Sequence, residues 1–212
     1  MGRDISAKCK KCRREGAKLF LKGDRCLGSK CGVTRRNYIP GMHGPKIGRG
    51  GNRLTGYGSQ LREKQKAKRT YRILERQFVK YYASAIKKTG NTASHLFEAL
   101  ETRLDNAIYR AGFVPSRDLA RQLVNHGHFL LNGKRMDIPS YQVKIKDKIT
   151  IKPSSMRLVA FQNLVEVLAN KEIPEWLHVD AKELSIAVVG APELAKSAPS
   201  FDLRAIIEFY SR

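Results

Sequence analysis

The sequence predicts an α+β protein: a zinc-stabilised basic arm at the N-terminus, a helical region, and a region that combines helices with a small mixed or antiparallel sheet. Three observations predict it. All four cysteines lie within 9–31 in a basic stretch with few apolar residues, and helix formers dominate 59–111. A short basic helix then runs into a hairpin signal at Asn132-Gly133, and an alternating pattern follows. With 212 residues, 42% of them hydrophobic, the chain can bury a core and form one to two domains.

The arm comes first. Cys9 and Cys12 are two residues apart, Cys26 and Cys31 four, and thirteen residues separate the pairs. That spacing lets four thiolates surround one tetrahedral Zn²⁺, which would replace the core the segment lacks. Two disulfides or free thiols are the alternative. A reducing cytosol argues against the first, and the close pairing against the second. With four cysteine ligands the site is closed, so its role is structural, and His43 is a spare donor it does not need. Arg3, Lys10, Lys11, Arg13, Arg14, Arg35 and Arg36 surround the cysteines and are candidate phosphate contacts.

From 39 to 58 the chain is glycine-rich and aperiodic, a linker or an RNA-hugging loop carrying Arg49 and Arg53. Its GRGGNR matches neither GxGxxG nor the Walker pattern, and no apolar strand precedes it. Residues 59–88 predict two helices. The first half presents Arg62, Lys64, Lys66, Lys68, Arg69 and Arg72 with almost no apolar stripe, a pattern suited to a solvated helix or, preferably here, a groove between RNA helices. Thr89-Gly90-Asn91 breaks the pattern and Ser94 is a candidate cap for a third helix. Its apolar face runs from Leu96 to Ala111, leaving Arg103 and Arg110 outward.

Pro115 cannot continue that helix, and Ser116 is an N-cap candidate for the next. Leu119, Ala120, Leu123 and Val124 recur at helical spacing while Arg117, Arg121 and Gln122 fall on other faces. Gly127 ends the helix, 129–131 reads as a strand, and Asn132-Gly133 suits a type I′ turn with Lys134 and Arg135 beside it. Residues 142–152 alternate between Val143, Ile145, Ile149 and Ile151 on one side and lysines on the other, which predicts two strands. An amphipathic helix is expected over 156–168, strands over 176–179 and 185–189, and a short final helix over 202–209.

Charge narrows the partner. The chain carries 41 Lys plus Arg against 19 Asp plus Glu, a net +22. A polyanion is the default inference for such a chain. The net charge is +11 over 1–50, +8 over 51–100, +4 over 101–150 and −1 over 151–212. The cationic surface therefore belongs to the first two thirds. No run approaches the ~18 apolar residues of a membrane span, and no apolar leader suggests export, so a cytoplasmic protein with no membrane partner is expected.

The blocks GMHG (41–44), LREKQK (61–66), LERQF (74–78), RLDNAIYRAGF (103–113), SRDLARQLVNHGHFLLNGKRMDIPSY (116–141), WLHVD (176–180) and IIEFYSR (206–212) follow the four cysteines in order. With them the chain resembles the bacterial small-subunit ribosomal protein four family, founder of the S-four RNA-binding domain. The resemblance implies a zinc-binding arm over 1–45 and an rRNA-binding helical domain over 46–100, rejoined by a C-terminal helix over 200–212. It also implies an inserted S-four-type domain over 101–199, with its core at 103–165. It further implies binding of small-subunit rRNA at a multi-helix junction of the 5′ domain early in assembly. Neighbouring small-subunit proteins would lie beside it near the point where messenger RNA enters, with an influence on decoding accuracy. Its own messenger is a further RNA that the same surface could bind. Carried over by motif, Arg103, Arg110, Ser116, Arg117, Arg121, Gln122 and Lys134 would line an RNA face. The 48–58 stretch is more glycine-rich than the family's usual arginine-rich arm.

An enzyme that borrows this domain needs a separate catalytic domain, for which the chain has no room, and no nucleophile and base pair is suggested. His126 and His128 read as packing or RNA hydrogen-bonding residues. No small-molecule substrate is expected. A free zinc-dependent regulator would leave most of the matching blocks unexplained.

Overall fold

The structure, a computed structural model, describes residues 4, 6–42, 44, 54–169, 171–197 and 199–211. Arg3, His43, Arg49 and Arg53 lie outside the described residues. The chain divides into two compact units, Met1–Ala93 with Pro199–Arg212, and Ser94–Ala198.

The first unit opens with α1 (Lys8–Glu15), which Gly16 ends at φ 66°, a left-handed conformation that suits glycine. A 3-10 turn (Gly23–Cys26) and the short α2 (Gly32–Arg35) follow. The two helices expected over 59–88 are α3 (Gly56–Thr70) and α4 (Glu75–Ile86). Thr55 caps α3, its hydroxyl accepting the Gly58 N–H at 3.1 Å. The break between them is abrupt: Arg72 sits at φ 57° while Tyr71 and Ile73 are buried.

The second unit holds the sheet. The single helix expected over 94–111 is two, α5 (Thr92–Glu101) and α6 (Leu104–Arg110). At the start of α5 the Asn91 side chain, not Ser94, receives a backbone N–H, that of Ala93 at 2.9 Å. Between α5 and α6, Arg103 is extended and bridged to Gln142, while Val143 donates to the Thr102 carbonyl and Leu104 to that of Tyr141. Pairing with the 141–143 segment interrupts the helix there. Helix α7 (Arg117–Asn125) is capped as expected, the Ser116 hydroxyl accepting the Leu119 N–H at 3.3 Å.

Gly127, at φ 73°, turns the chain into β1 (Phe129–Leu131), and Asn132 and Gly133, both at positive φ, link it to β2 (Lys134–Arg135). Of the two strands expected over 142–152 only β3 (Lys148–Ile151) forms. The cause is Asp147, whose carboxylate accepts the Lys144 N–H and the Asn132 side chain, each at 2.8 Å. That turn puts Lys146 at positive φ and leaves Ile145 exposed. The helix expected over 156–168 is likewise cut to 3-10 turns at Pro153–Ser155 and Val159–Phe161, followed by α8 (Leu164–Ala169). Strands β4 (Leu177–Asp180) and β5 (Ser185–Val188) complete a fully antiparallel sheet of order β2-β1-β3-β5-β4. Its core joins Leu104, Ile108, Phe113 and Val124 from the helices to Phe129, Ile149, Ile151 and Ile186 from the strands.

After the four-residue α9 (Leu194–Ser197), α10 (Leu203–Tyr210) returns to the first unit and packs on α3. Tyr210 stacks on Phe78 and Tyr82, and Tyr57 packs tilted against Phe209. Burial of Phe78, Leu203 and Ile206 around them is the main apolar term holding this unit. No helix among the described residues is long and apolar enough to cross a membrane.

Candidate nucleic-acid interface

In the arm, Cys9, Cys12, Cys26 and Cys31 line one cavity of about 10 Å³, room for a single atom rather than a molecule. Gly32 brings α2 against the first of them: a Cβ there would lie 2.8 Å from Cys9 Cβ, so only glycine allows this approach. The Lys22 N–H points at Cys26 Sγ, 3.3 Å away. Burial pushes the Cys12 thiol up, and the three other cysteines add to it. Burial acts upward on Cys31 too, but the N–H groups of Thr34 and Val33 outweigh it and lower that thiol. No group of three or more His, Cys, Asp or Glu among the described residues is arranged to hold a metal ion.

Many cations expected to meet RNA are occupied inside the protein. In the first unit Glu15, its side chain nearly fully buried, pairs with Arg69 and, at 3.5 Å, with Arg62. Glu75 pairs with Lys64 at 2.8 Å and Lys68 at 3.0 Å. Lys66 lies 3.8 Å from Glu63, and Arg72 donates to the Asp4 carbonyl at 2.8 Å. Lys11 is buried and bonded to Asp4, which that bond holds well below the usual carboxylate range. Arg13 donates to the Tyr38 carbonyl at 3.0 Å and stacks over its ring. Lys10, Arg14, Arg35 and Arg36 are exposed.

The second unit corrects the sequence reading more sharply. Arg103, expected to face outward, is 0% exposed. It holds Asp105 through two bonds of 3.0 and 2.7 Å, and Arg121, also buried, reaches the same carboxylate at 3.4 Å. Arg110 grips Glu101 through two bonds of 2.8 Å. Arg117 donates to the Asn106 side chain at 2.8 Å and stacks over Tyr109. Ser116 is buried in its capping role. Carboxylates on α5 and α6 thus turn this arginine set into a lattice between α5, α6 and α7. Of the residues expected on the RNA face of this unit, Gln122 and Lys134 are exposed.

Sequence reasoning notes Arg135 beside the turn and a lysine face over 142–152 but leaves Arg135 and Lys152 out of its RNA contacts; together with His126, His128 and Ser154 they line a cavity of about 210 Å³ at the base of the hairpin. The signal for them was available: both flank paired strands, and the HGH triplet enters β1. Their convergence is a matter of strand register, which fixes Phe129 opposite Ile151.

Comparison with known proteins agrees with this architecture. Residues 3–101 match the Ribosomal protein S4/S9 N-terminal domain and residues 102–149 the S4 domain. The chain is 48% identical over 212 residues, all of both chains, to the small ribosomal subunit protein uS4 of Acetivibrio thermocellus and, to the same extent, to that of Syntrophomonas wolfei. It is 47% identical over 213 residues to its counterpart from Clostridioides difficile, again with both chains fully covered. The chain therefore belongs to the bacterial uS4 family of ribosomal proteins.

Proposed function

We propose that the protein is a structural, non-enzymatic constituent of the small ribosomal subunit in the cytoplasm. In this reading it binds small-subunit rRNA at a junction of several helices early in assembly, and sits among neighbouring small-subunit proteins near the point where messenger RNA enters. The observation that carries this reading is a net charge of +22 on a chain that belongs to the uS4 family throughout its length. Lys10, Arg14, Arg35, Arg36 and Lys134 are the expected sequence-independent phosphate contacts, with Gln122 beside them. The internally paired arginines fix the shape of the surface.

If about 8 phosphates are neutralised, log affinity for a 5′-domain rRNA transcript falls against log salt with a slope of about −6 to −7. A nearly flat slope refutes the electrostatic reading. Co-purification with the small subunit at low salt tests membership, and absence of the protein from the subunit there refutes it.

We further infer that Cys9, Cys12, Cys26 and Cys31 hold one structural Zn²⁺. Four thiols lining one atom-sized cavity, with N–H groups aimed at two of the sulfurs, support this reading. The ion would supply cross-linking of α1, the 3-10 turn and α2 and no reaction chemistry. Metal analysis of the purified protein is expected to give one zinc per chain; iron, or no metal, overturns the assignment.

A further inference from the structure

The cavity at the hairpin base differs from the rest of the candidate surface. Gly127, His126 and His128 form one wall, Arg135 of β2 a second, and Lys152, Ser154, Ser155 and Leu158 a third. No carboxylate lines it among the described residues. Among the described residues neither Arg135 nor Lys152 carries an ion pair, unlike Arg110 of α6 and Arg121 of α7. The Arg135 guanidinium lies close to the Gly127 backbone: a Cβ at Gly127, whose φ is 73°, would meet Arg135 Nε at 2.4 Å, so glycine there leaves room for this cation beside the cavity. Ser155 Oγ lies 2.9 Å from His128 Nδ1, fixing that ring, and the two imidazoles meet edge to face with centroids 5.9 Å apart.

The electrostatics agree with the geometry. Burial lowers the His128 pKa, and His126, Lys152 and Arg135 each lower it further. All three neighbours push one way, as expected for concentrated positive charge awaiting an anion. Two cations, two imidazoles and a serine hydroxyl in a cavity with no carboxylate among its described lining residues suit a tetrahedral phosphate with charge-assisted donors on several sides.

We propose that this cavity is a phosphate-binding site that seats one phosphodiester of the RNA backbone between Arg135 and Lys152, with His128 as a proton-linked donor and His126 and Ser154 at its rim. The proposal rests on the rRNA-binding reading above. A bound phosphate offsets the repulsion at His128, so the bound form holds its proton to higher pH than the free form. Affinity therefore rises as pH falls through the histidine range.

The test uses the full-length protein and a 5′-domain rRNA transcript. Arg135→Gln with Lys152→Gln, checked for native circular dichroism, is expected to reduce the salt slope by about one and to flatten the pH dependence of binding. Arg135→Lys with Lys152→Arg keeps both charges and should keep the wild-type slope. A neutral double variant with wild-type slope and pH profile overturns the site while leaving the rRNA reading intact. Absence of wild-type binding overturns both. Inorganic phosphate, followed on the His126 and His128 ring signals by NMR, separates the two sources of the anion. Ring shifts that vanish in the neutral variant, without any change in RNA slope, refute an RNA phosphate as the occupant.

Discussion

The Tyr210 hydroxyl donates to Glu75 Oε1 at 2.6 Å, joining residues 135 positions apart. Burial acts to raise Glu75, but Lys64, Tyr210 and Lys68 outweigh it and hold the carboxyl near 2. The same bond and burial drive the Tyr210 phenol upward. Tyr210→Phe removes a charge-assisted bond while keeping the ring stacked on Phe78 and Tyr82, so a loss of about 1 kcal/mol is expected. Denaturant unfolding measures it; an unchanged midpoint would mean that water replaces the hydroxyl at no cost.

Glu75 also sets an acid limit. Its folded pKa of about 2 lies below the unfolded value near 4.3, so its stabilisation is fully present above that value. As pH falls from about 4.3 to about 2 that stability is lost. Glu75→Gln should flatten the stability profile over this window, as read by thermal unfolding at several pH values.

Arg103 and Lys134 separate support from contact. Arg103→Ala leaves Asp105 buried with Arg121 as its remaining charged partner among the described residues and should destabilise the protein by about 3 kcal/mol or more. Lys134→Ala, on the exposed strand β2, should leave the unfolding midpoint within about 0.5 kcal/mol and weaken rRNA binding. The reverse pattern would exchange the two roles. An Arg117→Ala, Arg121→Ala pair, attractive from sequence as a clean binding test, would instead disturb the α6–α7 lattice.

On the zinc reading, Cys9→Ser releases the metal and loosens the arm while residues 103–152 stay folded. Zinc content and amide-exchange protection measure the two effects. Unchanged zinc in the purified variant removes Cys9 from the ligand set.

Local chemistry was legible in the sequence where a few neighbouring residues decide the outcome. The Ser116 cap, the Asn132-Gly133 turn and the α3–α4 pair follow from capping and turn preferences acting over three or four residues. What could not be read depends on distant partners. The α5–α6 break arises because 102–104 pairs with 141–143, and β3 is short because Asp147 turns the chain before it. The candidate interface shows the same division. Charge density pointed to a polyanion, yet periodicity cannot tell an arginine facing solvent from one facing Asp105 or Glu101 across a helix boundary. The phosphate cavity was hidden for that reason too, since its walls come from segments that only sheet register aligns.

Helix α10 fills the groove on α3, yet the two are separated in the chain by the whole second unit. During synthesis every residue of that unit emerges before α3 can cover its apolar side. The middle of the chain is thus free to fold first, and the segment that carries most of the positive charge closes last. Closure of α3 by α10 is therefore the packing step that waits longest in a newly made chain.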